Sequence, residues 1–152
     1  MELTTQHLIA LLPLLVTCAT IVVVMLAIAW RRHHGQTFVL SVAGLNLALL
    51  SIIPALKVTP LAVTGLLQID NYACFYIGLI LAATLACVTL AHAYLGGEDG
   101  KSPGFPGNRE EFYLLILLAA AGAIVLVSAQ HLAGLFIGLE LLSVPVYGLV
   151  AY

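Results

Sequence analysis

The sequence predicts an all-α integral membrane protein of five transmembrane helices. Three observations predict it. Of 152 residues, 62% are hydrophobic and 8% charged, with a mean hydropathy of +1.14, whereas a water-soluble chain carries about 25% charged residues. Five apolar runs occupy residues 8–30, 38–56, 72–94, 112–129 and 132–152, each close to the ~20 residues that cross a hydrocarbon core as helix. The runs do not alternate apolar with polar positions, which excludes strands. A helix also satisfies its own backbone groups where lipid cannot. The formal net charge of −2 offers no basic surface for nucleic acid, so partners are expected in the bilayer.

The run at 8–30 is not a cleaved secretory signal, because Glu2 precedes it and Arg31-Arg32 follow it, the reverse of the signal's charge order. The same arginine pair orients the chain, since cytoplasmic loops are enriched in Lys and Arg. With the amino terminus outside, Arg31, Arg32, Lys101 and Arg109 fall in cytoplasmic loops at 31–37 and 95–111. Lys57 alone falls on the other side. The external segments are then 1–7, 57–71 and 130–131. The longest polar stretch, 95–111, carries Pro103 and Pro106 and reads as a loop. Between the last two runs stand only Gln130 and His131, a link so short that it forces those helices antiparallel and into contact.

Several candidate sites lose their force on inspection. Gly96 to Ser102 reads Gly-Gly-Glu-Asp-Gly-Lys-Ser, but a phosphate loop needs four residues between its glycines and a preceding strand. Cys18, Cys74 and Cys87 lie inside the runs without Cys-x-x-Cys spacing, so neither an iron–sulfur cluster nor a structural disulfide is indicated. His33 and His34 extend the basic turn, and His7 and His131 sit at run ends, where an imidazole reaches water. His92, near the cytoplasmic end of its run, either meets headgroups or joins a proton path. Trp30, Tyr72, Tyr94 and Tyr113 sit near run ends, as interfacial aromatics do.

Glu140 is different. It stands in the middle of the last run, where a charged side chain costs about 2.5–3.5 kcal/mol on insertion scales. At 100° per residue, Phe136, Glu140, Ser143 and Tyr147 share one face of a helix, while Gly134, Gly138 and Pro145 gather opposite. The glycines form a G-x-x-x-G step that lets another backbone approach. Pro145 cannot donate to the carbonyl of Leu141 and is expected to kink the helix beside the acid. All five basic residues lie outside the runs, so the partner of Glu140 is expected on other polypeptide. The last run ends at Tyr152 with no flanking charge, the appearance of the front portion of a longer protein.

At these residues the sequence resembles a known family. Glu110-Glu111-Phe112-Tyr113-Leu114-Leu115, the run from His131 to Pro145, and His7 to Arg32 around the first helix are similar to the N subunits of bacterial proton-pumping NADH-quinone oxidoreductases. The resemblance covers essentially the whole chain but only the leading part of that family's length. It implies a membrane subunit of respiratory complex I in the bacterial inner membrane, assembled with other membrane and peripheral subunits. NADH, flavin, iron–sulfur clusters and quinone would be handled elsewhere in the complex, with no redox cofactor or metal bound by this chain. The acid matching Glu140 is the proton-translocation carboxylate, paired in that family with a lysine on a later helix. Since an ammonium that approaches or withdraws changes a carboxyl group's hold on its proton, Glu140 is expected to act as a switchable charge. A related cation/proton antiporter subunit, and a non-catalytic scaffold in which Glu140 is only a hydrogen-bonding group, are the alternative readings.

Overall fold

The computed structural model describes residues 5–96 and 109–151. Most of the loop expected at 95–111 lies outside the described residues, as do residues 1–4 and Tyr152. The chain runs through α1 (Thr5–Ala10), α2 (Leu12–Trp30), α3 (His34–Leu50), α4 (Ile52–Leu56), β1 (Leu61–Ala62), β2 (Gln68–Ile69), α5 (Asn71–Gly96), α6 (Arg109–Ser128) and α7 (Leu132–Val150). Five spans, Leu12–Trp30, His34–Leu56, Asn71–Leu95, Arg109–Ser128 and Leu132–Val150, are long and apolar enough to cross a membrane. The protein is an all-α multi-pass membrane bundle.

Prolines set the breaks inside the apolar runs. Pro13 has no N–H for the carbonyl of Ile9, and the first run divides at Leu11 into α1 and α2, with Pro13 in the first turn of α2. Pro54 likewise cannot donate to Leu50, and α3 gives way to α4 at Ser51. The basic link expected at 31–37 is shorter in the structure. Helix α3 already begins at His34, because Thr37 donates its backbone N–H to the His33 carbonyl at 3.1 Å and its hydroxyl to the same oxygen at 3.2 Å.

The two ends of the bundle are built differently. At the end where α2 starts, β1 and β2 form a small antiparallel hairpin, Leu61 opposite Ile69 and Ala62 opposite Gln68. The hairpin reaches the α6–α7 connection through Gln130, whose N–H donates to the carbonyl of Leu66 at 2.9 Å. Asp70 then starts α5, its carboxylate accepting the N–H of Ala73 at 2.7 Å, a cap of the ordinary N-terminal kind. The opposite end holds the link Arg31 to His33, the end of α5 and the beginning of α6.

Buried apolar side chains from α2, α3, α5 and α6 meet in one core, among them Val24, Leu45, Leu81, Leu117 and Ile124. Seven buried serines and threonines among the described residues lie in the same bundle: Thr17, Thr20, Thr37, Ser41, Ser51, Thr84 and Ser128. Each donates to a carbonyl three or four residues earlier on its own chain, at 2.6–3.2 Å. Such back-bonding lets a polar side chain enter an apolar interior without a partner helix. Helix α7 stays outside this core. Its buried residues are Gly134, Gly138 and Pro145, and it packs chiefly on α6.

Candidate functional site

The attachment of α7 fixes where Glu140 points. A side chain added at Gly138 would come within 2.7 Å of the backbone N of Leu126, and one at Gly122 would overlap the backbone of Leu141 and Leu142. The two helices therefore touch backbone to backbone, which small residues alone permit. Gly134 does the same toward the hairpin, its missing Cβ 2.8 Å from the Leu66 carbonyl oxygen. With this face against α6, the opposite face turns out of the bundle. Phe136 and Tyr147 are 61% and 71% exposed there, and Glu140 between them is exposed as well. Thus the carboxylate is central in the length of α7 but is not enclosed by the other four spans.

No hydrogen bond or ion pair engages Glu140 among the described residues. Ser143, on the same face, donates to the carbonyl of Leu139 at 2.6 Å. Helix α7 continues through Pro145 to Val150, and the Leu141 carbonyl beside the acid lacks an N–H from Pro145. His131 is the N-cap of α7, its Nδ1 accepting the N–H of Ala133 at 3.2 Å. The opposition of faces expected from helical spacing is present. Gly122, the third glycine of the contact, is a residue that spacing within the last run does not reach. Its signal in the sequence is the stretch of small residues Ala119-Ala120-Ala121-Gly122-Ala123.

A second polar cluster lies at the end of the bundle opposite the hairpin. Tyr113, expected from its position near a run end to be an interfacial aromatic, is fully buried. Its hydroxyl lies 3.3 Å from His92 Nδ1 and 3.5 Å from His34 Nε2. His34 and His92 stack nearly parallel with ring centroids 4.9 Å apart, and Phe38 stacks on His92 at 3.8 Å. Of the four expected interfacial aromatics, Trp30, Tyr72 and Tyr94 are 92%, 78% and 81% exposed, leaving Tyr113 as the one turned inward. Nearby, Arg32 and Glu111 approach to 3.9 Å with both side chains about half exposed, a geometry worth little stability. Cys18, Cys74 and Cys87 are free thiols.

Five apolar spans with one carboxylate set mid-helix on an outward face define a multi-pass membrane bundle. No family model matches the sequence. The chain is 72% identical over 151 residues to the NADH-quinone oxidoreductase subunit N of Ectopseudomonas mendocina (strain ymp), a match that covers 99% of this chain and 30% of that protein. The chain thus spans about a third of the length of the curated relative it matches.

Proposed function

We propose that this chain is the leading part of a membrane subunit of a proton-translocating NADH-quinone oxidoreductase, with Glu140 as its proton-carrying carboxylate. The observation that carries the reading is the outward mid-helix acid. A carboxylate that faced lipid as an ion would be costly, so its exposure on this bundle supports a covering helix that brings a basic group to it. In the relative, some two-thirds of the chain lies outside the match, room enough for that helix. The partners are the other membrane and peripheral subunits of the complex, where NADH, flavin, iron–sulfur clusters and quinone are handled. The membrane is the bacterial inner membrane.

In this reading Glu140 takes up a proton when its cation withdraws and releases it when the cation returns, since an opposite charge within about 4–6 Å favours the ionised carboxylate. No covalent step is needed. Glu140→Gln keeps the shape and most hydrogen bonding but removes the ionisable proton, and Glu140→Asp keeps the charge on a shorter arm. In the assembled complex, Gln should reduce NADH-to-quinone turnover and the pH gradient in sealed vesicles by roughly tenfold, about 1.4 kcal/mol. Asp should reduce them less, with assembly intact in both. Full turnover and gradient with Gln would instead favour the scaffold reading.

Orientation belongs to the same proposal. Among the described residues, Arg31, Arg32 and Arg109 lie at one end of the bundle and Lys57 at the other, which supports a cytoplasmic location for the first end. Single cysteines at His33 and Thr64, in a background without native cysteines, should react with an impermeant reagent from opposite sides of the membrane. Labelling of both from outside intact cells would reject the orientation.

A further inference from the structure

We propose that His34, Tyr113 and His92 form a binding site for a single proton at the end of the bundle opposite the hairpin. Three helices meet there. His34 comes from the first turn of α3, His92 from the end of α5 and Tyr113 from the start of α6, and the phenol oxygen bridges the two imidazoles at 3.3 and 3.5 Å. This site is separate from Glu140 and does not depend on that residue's role.

The chemistry follows from the hydrogen-bonding capacity of each group. A neutral imidazole has one N–H and one lone pair, and a phenol both donates and accepts. Tyr113 can therefore accept from His34 Nε2–H while donating its own proton to His92 Nδ1. His34 Nδ1 is buried and has no hydrogen-bond partner among the described residues, so its lone pair is the open end of the chain. A proton bound at His34 Nδ1 lets the Nε2 proton pass to the phenol oxygen as the phenol proton passes to His92 Nδ1. The phenol ends neutral, His34 ends neutral, and one positive charge has moved to His92.

Ring geometry sets the stoichiometry and the resting place. Two imidazolium rings stacked 4.9 Å apart and tilted by only 10° repel each other in a low-dielectric setting, so the pair holds one proton before a second. Phe38 lies on His92 with centroids 3.8 Å apart, and an aromatic face against a cation is attractive. The charge is thus held on His92. The charged and titratable groups around the cluster are Arg32 and His33 at the head of α3, and Arg109, Glu110 and Glu111 at the head of α6.

The test is nitrogen-15 magnetic resonance of histidine in the full chain reconstituted in phosphatidylcholine bilayers, titrated with pH and assigned by single substitutions. The ring nitrogen signals of His34 and His92 should change together, since the phenol oxygen bridges the two rings. His92→Gln should move the ring nitrogen signals of His34, because it removes the stacked imidazole 4.9 Å away. Tyr113→Phe, which removes only the bridging oxygen, should move the His34 and His92 ring signals and leave those of His131 in place. His34 and His92 signals that change independently in the unsubstituted chain, or a His34 that responds to neither variant, would overturn the site.

Discussion

The inner and outer faces of α7 place opposite demands on the same helix. Its inner face carries Gly134, Gly138 and Pro145, all buried; Gly134 meets the hairpin at Leu66, while Gly138 and the α6 residue Gly122 bring the helix backbones together at Leu126 and Leu142. Toward the outside it presents Phe136, Glu140 and Tyr147, all exposed. One face is covered within these five spans and the other is exposed. The buried serines and threonines of the core make the same point from the polar side. Each is satisfied by its own helix, whereas a carboxylate has no donor of its own helix to turn to once the backbone N–H groups are taken. The buried serine and threonine hydroxyls are satisfied within their own helices, whereas Glu140 has no hydrogen bond or ion pair among the described residues.

The comparison is most easily broken on the inner face. Gly122→Val would place a side chain into the backbone of Leu141 and Leu142, and overpacking costs about 1–3 kcal/mol even where side chains alone must yield. Here the obstacle is backbone, so a loss at the upper end, roughly 3 kcal/mol, is expected. Reversible detergent unfolding followed by circular dichroism measures it. An unchanged midpoint would mean that α6 and α7 are not in close contact.

An intermediate reference comes from outside both faces. Asp70→Ala removes the carboxylate that accepts from Ala73, and loss of such a cap costs ~1 kcal/mol. The same unfolding titration should register it, while Asp70→Asn should recover most of the loss because an amide oxygen can also accept. A cap effect as large as that of Gly122→Val would show that the hairpin end, and not the glycine contact, holds the bundle together.

Much of this architecture is legible in the sequence because the bilayer imposes a length. Five apolar runs can be counted without knowing how they pack, and helical spacing alone puts Glu140 opposite Gly134 and Gly138. What spacing does not give is the neighbour. Tyr113 and Tyr94 both sit near run ends, yet Tyr113 is fully buried and Tyr94 is 81% exposed. The direction each side chain takes is decided by which helices stand beside it. The His34–Tyr113–His92 cluster joins residues 79 and 21 positions apart and has no local signature. Helix ends depart from run ends for a nearer reason: charge and apolarity bound the runs, while Pro13, Pro54 and the backbone bond from Thr37 to His33 bound the helices.

The smallest effect is expected from Glu140→Leu in the chain on its own. Removing the acid lowers the cost of placing α7 in the membrane by about 2.5–3.5 kcal/mol on insertion scales, but that cost belongs to both the packed bundle and the separated, inserted helices. Position 140 is on the outward face in the bundle and equally in contact with the surroundings when the helices part, so the difference cancels. Helix association should change by no more than about 0.5 kcal/mol, the range of substitutions away from packed contacts. Detergent unfolding of the Glu140→Leu chain should therefore overlay that of the unsubstituted chain, in the same experiment where Gly122→Val fails. A loss comparable to that of Gly122→Val would mean the five spans themselves satisfy the acid. Should the overlay hold, the glycine contact between α6 and α7, and not Glu140, sets the stability of these five spans.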